Sequence, residues 1–109
     1  MKQITAIIQP HRLARVREAA RHLSGFPGMT IDKVEGFSEH QDSDEDDRSP
    51  RIKRELADYS PKVRLVILSP EDKVDAIVTM IAGNCRSGEK GDGVIWVSPV
   101  EHALSIRNA

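Results

Sequence analysis

The spacing of apolar residues switches twice from a strand-like to a helix-like period along this chain, and no other feature of the sequence limits the fold as strongly. Alternating apolar positions predict strands, and apolar positions every three or four residues predict helices. The predicted elements are a strand at 3–8, a helix at 11–23, a strand at 29–37, a strand at 62–68, a helix from 70 that ends near 84–86, and a strand at 94–97. Ser69 and Pro70 are expected to cap and begin the second helix. The tail at 99–109 is expected to form a short turn and a last strand.

This order, βαββαβ, predicts two right-handed βαβ units in tandem, which make a ferredoxin-like α+β sandwich with both helices on one face of the sheet. The third strand is apolar on both faces, because Val63, Leu65 and Ile67 alternate with Val66 and Leu68. Two helices cover only one face, and an uncovered apolar face would be an unusually large exposed patch. We therefore expect the second face to be buried against copies of the same chain. A locally mixed pattern in a chain that does not assemble is the alternative.

Size and composition predict one soluble domain over residues 1–109. The chain has 109 residues, with 16 Lys and Arg against 17 Asp and Glu. A domain of this size buries only about 60 to 70% of its unfolded surface, so a partner subunit would add stability. No apolar run reaches the roughly 18 residues of a membrane span, and the first residues lack the features of a signal peptide. We expect a cytoplasmic protein without membrane insertion, in which the lone Cys85 lies in the core or an interface.

A long polar segment, residues 38–60, separates the second and third strands and carries most of the charge asymmetry. Six of the nine residues from Glu39 to Asp47 are acidic, and four basic residues follow within 48–54. Connections longer than about 15 residues in a compact domain are usually functional or disordered. The segment is therefore predicted to be a long functional loop, with a merely solvated charged loop as the alternative.

Glycines near the end of the chain are candidates for a ligand site. Gly88 and Gly93 are spaced as in a Walker phosphate loop, but Val94 and Ile95 follow where that motif needs Lys and Ser or Thr. Backbone N–H groups around Gly88, Gly91 and Gly93 can still form a cradle for an anion. An ordinary glycine turn is the alternative.

Other chemistry has little support. The alternating acids Asp42, Asp44 and Asp46 match three positions of a calcium loop, but its glycine and glutamate positions hold Asp47 and Lys53. His40 and Asp42 could still hold a divalent ion loosely. The four histidines show no catalytic or metal-binding pairing, so no enzyme is predicted. Four aromatic residues without interleaved basic residues argue against a nucleic-acid surface.

Four stretches resemble the P-II signal-transduction family, the trimeric regulators of nitrogen metabolism and membrane transport. They are MKQITAIIQPHRLARVREA at the start, GMTIDKVEGF at 28–37, PKVRLVIL with PEDKVDAIV at 61–78, and SGEKGDGVIWVSPVE at 87–101. The extra residue in GFPGMT is similar to a divergent branch often encoded beside transporters, including metal-efflux systems.

The resemblance implies a homotrimer that binds three nucleotides in the clefts between subunits, and a long loop that carries the signal to a target. Carried over by position, the adenine and ribose region would be lined by Ile7, Thr30, Gly36 and Leu68. The phosphate loop would comprise Ser87, Gly88, Gly91, Asp92 and Gly93. Arg107 would contact phosphate, and Lys62 would lie at the base of the signalling loop.

Departures from the family pattern alter the expected ligand. Val94 and Ser105 stand where the family has a lysine and an arginine that bind phosphate. Charge-assisted hydrogen bonds contribute roughly 1.5 to 3 kcal/mol each, so ADP or AMP should be favoured over ATP. His40 and Ser38 replace a glutamine and a glycine of the family's effector site, so sensing of 2-oxoglutarate is not expected. The uridylylated tyrosine has no counterpart, since Tyr59 lies near the loop's end.

The resulting hypothesis is a non-enzymatic homotrimeric regulator that binds an adenine nucleotide and controls an unidentified target through residues 38–60. The target would be a membrane transporter or a metabolic enzyme. One alternative is a P-II-like module that responds to a metal or to a small anion such as bicarbonate, with weakened nucleotide binding. Another is a trimeric scaffold whose loop binds a partner constitutively.

Overall fold

A computed structural model describes residues 1–37 and 59–109 of the chain. Its elements are β1 (Lys2–Ile8), α1 (Leu13–Arg21), β2 (Thr30–Phe37), β3 (Tyr59–Ser69), α2 (Val74–Cys85) and β4 (Gly93–Pro99). Short 3₁₀ turns precede both helices, at Pro10–Arg12 and Glu71–Lys73, and a third ends the chain at Ile106–Asn108. The predicted βαββαβ order is confirmed.

The four strands form one sheet in the order β2-β3-β1-β4, and every neighbouring pair is antiparallel. β1 therefore lies between β3 and β4, with Ile7 opposite Arg64 on one side and Val94 on the other. Each helix connects two strands that are separated by a third, as in the ferredoxin-like α+β fold. The predicted fold class is confirmed.

The core lies on the face of the sheet that both helices cover. Alternate residues of β1 and β3 are buried, and they pack in one cluster with residues of α1 and α2. The central members are Ile4, Ile8, Leu65, Ile67, Val16, Ile77 and Ile81. Because side chains alternate across a strand, the other residues of β1 and β3 point to the opposite face. We call this opposite side the open face.

The open face carries exposed apolar side chains, as the strand patterns predicted. Trp96 is 46% exposed and Leu68 is 42% exposed. By register, Trp96 lies opposite Thr5, and Leu68 lies opposite Gln3. An ion pair crosses the same face, with Arg64 Nη2 2.8 Å from Asp32 Oδ2. The hydrogen bond and the charge of Asp32 raise the pKa of Arg64.

Several predicted boundaries change. β3 begins at Tyr59 rather than at residue 62, because Tyr59 pairs with Phe37 and Ser60 with Gly36. The two aromatic rings also touch, with centroids 4.8 Å apart. The first α-helix is shorter than predicted, since its first turn is the 3₁₀ turn at Pro10–Arg12 and it ends at Arg21.

Two local predictions are wrong. Ser69 does not cap the second helix: its hydroxyl donates to the Pro70 carbonyl at 2.8 Å, and Pro70 is extended and precedes the first turn. The tail forms no last strand within the described part of the chain, and the 3₁₀ turn at Ile106–Asn108 is found there instead. The predictions for residues 38–58, which include Ser38, His40 and Asp42, lie outside the described residues.

No helix in the described ranges has both the length and the apolar character needed to cross a bilayer.

Candidate functional site

The turn between α2 and β4, residues 86–92, is organised by the carboxylate of Asp92. This group accepts hydrogen bonds from the backbone N–H groups of Ser87 at 2.7 Å and Gly88 at 3.0 Å, and from the Ser87 hydroxyl. The Ser87 oxygen also accepts from the N–H of Glu89 at 3.1 Å. These bonds lower the pKa of Asp92, and the hydrogen bond from the Ser87 side chain has the largest effect. The positive charge of Arg12 lowers it further. Asp92 therefore holds the turn together from within.

The hydrogen bonds to Asp92 limit the backbone donors that remain for an anion at this turn. The N–H groups of Ser87 and Gly88 already donate to Asp92. An anion must therefore use other backbone donors of the turn or displace the Asp92 carboxylate. The glycines that singled out the turn in the sequence could not tell which donors Asp92 occupies.

Gly93 is required where the turn enters β4. Its φ is +117°, and a Cβ there would overlap the carbonyl oxygen of Ile7. Gly88 and Gly91 also have positive φ values of 86° and 91°. Glycine adopts such conformations without the steric cost that other residues incur. The turn is thus seated directly on the backbone of β1.

Three strand ends meet the turn at Gly91. The side-chain amide of Gln9 donates to the Gly91 carbonyl at 2.6 Å, and Lys62 Nζ approaches the same oxygen at 3.5 Å. Lys62 in turn lies over Gly36, where an added Cβ would come 3.2 Å from Lys62 Cγ. The side chain of Lys62 therefore packs closely against Gly36. The ends of β1 and β2, the beginning of β3 and the turn converge on one small region.

Gln9 is a component of this region that the sequence did not reveal. It lies in the first stretch that resembles the family, but no role was predicted for it, and its partner is 82 positions away in the chain. The only local hint is that a polar residue with a long side chain follows β1 directly before Pro10.

A cleft of about 290 Å³ adjoins the turn, which is near the lower limit for pockets that hold small molecules. Its lining is mostly apolar and includes Ile7, Ile81, Cys85, Val94 and Ile95. Arg86 and Asp92 are its charged members. Burial raises the pKa of the Cys85 thiol, the charge of Arg12 opposes that shift, and Asp92 adds to it. The expected placement of Cys85 in the core is confirmed.

The residues predicted for adenine and ribose all belong to the open face, and so does Lys62. Ile7, Gly36 and Lys62 lie at the end of the sheet that meets the turn, as their pairing partners show. Thr30 and Leu68 lie towards the other end. The step of six residues from Lys62 to Leu68 spans about 20 Å of strand. One chain therefore brings together the first three residues with the turn, but not Thr30 or Leu68.

The remaining predicted residues are dispersed. Arg107 is exposed on the last 3₁₀ turn. Val94, one of the two substitutions for a family cation, is exposed beside the turn on the open face.

Across residues 1–37 and 59–109, no group of three His, Cys, Asp or Glu side chains could hold a metal ion.

Comparison with known proteins gives a consistent result. The family model described as nitrogen regulatory protein P-II matches residues 1–109. The chain is 36% identical over 107 residues to nitrogen regulatory protein P-II of Cereibacter sphaeroides, which covers 98% of this chain and 92% of the relative. It is 35% identical to the protein of that name from Rhodobacter capsulatus and 38% identical to nitrogen regulatory protein P-II 1 of Escherichia coli K12, with the same coverage.

Proposed function

Because this chain belongs to the nitrogen regulatory protein P-II family, we propose that it is a homotrimeric regulator that binds an adenine nucleotide between subunits. The bound nucleotide would set the state of the segment that joins β2 to β3, and this segment would act on a target protein. A membrane transporter or a metabolic enzyme is the proposed target, in keeping with the resemblance described above.

The observation that carries this proposal is the division of the predicted ligand residues into two groups on one open face. Ile7, Gly36 and Lys62 accompany the turn at one end of the sheet, whereas Thr30 and Leu68 lie six residues, about 20 Å, along their own strands from Gly36 and Lys62. A nucleotide whose phosphate lies at the turn would have to extend by about this length to bring Lys62 and Leu68 of one chain into the same site. A cleft between two copies removes the difficulty, because one copy supplies the turn and its neighbour supplies Thr30 and Leu68.

The apolar open face supports the same assembly. Trp96, Leu68 and Val94 are exposed there, and burying them against other copies would remove apolar surface from water. Assembly through this face would bring the second group of one subunit towards the turn of another. The ligand clefts and the subunit interface would then share residues, so nucleotide binding and assembly would be coupled.

The two positions that lack a family cation favour a nucleotide with few phosphates. Lys62 Nζ lies 3.5 Å from the Gly91 carbonyl oxygen, and Arg107 is the second cation proposed for phosphate. Val94 and Ser105 supply no charge at the two other positions where the family has one. We therefore propose that ADP or AMP binds more tightly than ATP.

The position of Lys62 gives a physical route from ligand to target. It lies near the start of β3 and packs on Gly36, where the chain is about to leave β2. An anion that attracts its ammonium group would act at the root of the connecting segment. Such a ligand changes the population of the segment's states only if it binds one of them more tightly.

Calorimetric titration of the purified protein with AMP, ADP and ATP tests the proposal, with the molar mass measured in parallel. We expect a trimer that binds ADP and AMP more tightly than ATP. Lys62→Met should weaken ADP binding by about ten- to hundredfold, the range for a lost charge-assisted hydrogen bond. Lys33→Met is the matched control, because Lys33 is exposed on β2 and belongs to the opposite face. Absence of adenylate binding at millimolar concentration would contradict the proposal.

A further inference from the structure

Gln9 is anchored at a rigid junction. It follows β1, its backbone is extended, and its carbonyl accepts a hydrogen bond from the N–H of Arg12 at 3.0 Å. Pro10 restricts the next φ angle as well. The Gln9 side chain therefore leaves the sheet from a fixed point, and its amide reaches the Gly91 carbonyl at 2.6 Å.

Holding this carbonyl fixes the orientation of a whole peptide group. In a trans peptide the carbonyl of one residue and the N–H of the next point in opposite directions. With the Gly91 oxygen directed towards Gln9, the N–H of Asp92 is directed away from it. The Asp92 side chain is held separately by Ser87 and Gly88. The peptide between Gly91 and Asp92 is thus restrained on both sides.

Such a restraint matters because Gly91 imposes little restraint itself. Its φ is +91°, and glycine passes between positive and negative φ at low cost. The amide of Gln9 lies directly over this residue, since a Cβ on Gly91 would come 3.2 Å from Gln9 Nε2. Without the tether, the backbone donors around Gly91 would have to be ordered when a ligand binds, and that ordering would reduce affinity.

Lys62 approaches the same oxygen but is suited to a different task. Its ammonium group is 3.5 Å from the Gly91 carbonyl, at the limit for a hydrogen bond, whereas the Gln9 bond is 2.6 Å. A lysine carries a charge that an anion attracts, and glutamine does not. Gln9 can therefore keep the turn in place while Lys62 moves to an anion.

We propose that Gln9 is a positioning residue that pre-orders the glycine turn for the phosphate of the ligand by holding the Gly91 carbonyl. The inference rests on the proposed function, since it assigns a role within the same site. Gln9 need not touch the nucleotide. Its contribution is to keep the donors near Gly91 in the orientation that phosphate requires.

The test compares ligands with and without phosphate in the Gln9→Met variant, which keeps the side-chain length and removes the donor. We expect AMP and ADP to bind about two- to tenfold more weakly, the range for one lost hydrogen bond, and adenosine to bind unchanged. Asn84→Leu is the matched control, because it removes an amide-to-carbonyl bond of 2.8 Å inside α2. Equal losses for adenosine and ADP, or no loss for either, would overturn the inference.

A second measurement separates this inference from the proposed function. Backbone ¹⁵N order parameters of residues 88–93 are measured without any nucleotide. We expect them to fall in Gln9→Met from values typical of rigid backbone, about 0.85, towards those of flexible segments, below about 0.6. Unchanged order parameters would overturn the role of Gln9 even if adenylates bind. A third outcome is a wild type that binds no adenylate while the order parameters still fall in Gln9→Met. That result would refute the proposed function but support the role of Gln9 in ordering the turn.

Discussion

At the scale of single residues, the site is built by side chains that hold backbone groups. Asp92 accepts from two backbone N–H groups and one hydroxyl, and Gln9 donates to one carbonyl. In the proposed function, either side chain could affect ligand binding without facing the ligand. Substitutions at these positions should therefore act mainly by making the turn less ordered, and less by changing the charge of the site.

Gly93 provides the clearest prediction at this scale. Gly93→Ala should lower the free energy of unfolding by at least about 1–3 kcal/mol, the cost of an unfavourable backbone conformation, because φ is +117° and the new Cβ would overlap the Ile7 carbonyl. Gly83→Ala is the matched control, since Gly83 lies in α2 with no atom within 4 Å of an added Cβ. It should raise stability by about 0.5–1 kcal/mol. Urea unfolding measures both, and equal effects of the two substitutions would contradict this account.

At the scale of elements, the pairing of β2 with β3 extends to the limit of the described residues. The last pair is Phe37 with Tyr59, whose rings meet at a centroid distance of 4.8 Å and an angle of 38°. Both rings are largely exposed, so they add little to the main core. Their contact instead fixes the points at which the chain leaves one strand and enters the next.

A double-mutant cycle tests this contact. Phe37→Ala and Tyr59→Ala should each destabilise the protein, and the coupling between them should be about 0.5–1.5 kcal/mol, as for other aromatic pairs. The free energies of unfolding of the wild type, both single variants and the double variant are measured in urea. Strictly additive single effects would show that the rings do not stabilise each other.

The elements were largely predictable because their apolar periodicity is strong, and the exceptions have physical causes. Tyr59 and Ser60 join β3 through pairing with β2, which no local pattern records. Ser69 has the sequence context of a helix cap, but it is buried and its hydroxyl donates to the Pro70 carbonyl. The local sequence predicted the periodic segments, whereas tertiary contacts determine where β3 begins and which bond the Ser69 hydroxyl makes.

The site was predictable in part. The glycines and Lys62 were identified from residue type and from the family resemblance, and the structure brings Lys62, Gly36 and Gly91 together. Gln9 was missed because its partner is 82 positions distant, and one sequence without an alignment contains no signal for such a pair. The inward orientation of the Asp92 carboxylate was equally hidden.

At the scale of the whole molecule, the sheet has one face covered by helices and one that retains exposed apolar groups. Trp96 is the only tryptophan of the chain and lies on the open face. Its fluorescence should therefore report directly on whether this face is buried in an assembly.

The corresponding prediction concerns Trp96→Lys. A charge on the open face should dissociate the proposed trimer at micromolar concentration, because a buried unpaired charge is costly. Ile31→Lys is the matched control, since Ile31 is exposed on β2 but belongs to the face of the helices. Sedimentation velocity measures the mass of both variants, and dilution of the wild type should shift its tryptophan emission to the red. A wild type that is already monomeric would contradict the assembly.

The pairing of Phe37 with Tyr59 also makes the sheet independent of the sequence that joins β2 to β3. The two residues are direct partners across adjacent strands, so the chain leaves β2 and enters β3 at one fixed spacing. The cost of closing a loop rises only slowly with its length, by about 0.6 kcal/mol for each doubling. Insertions, deletions or an entirely foreign peptide at this junction should therefore leave the sheet intact. The fold is therefore suited to accepting different sequences at this junction, in evolution or in design.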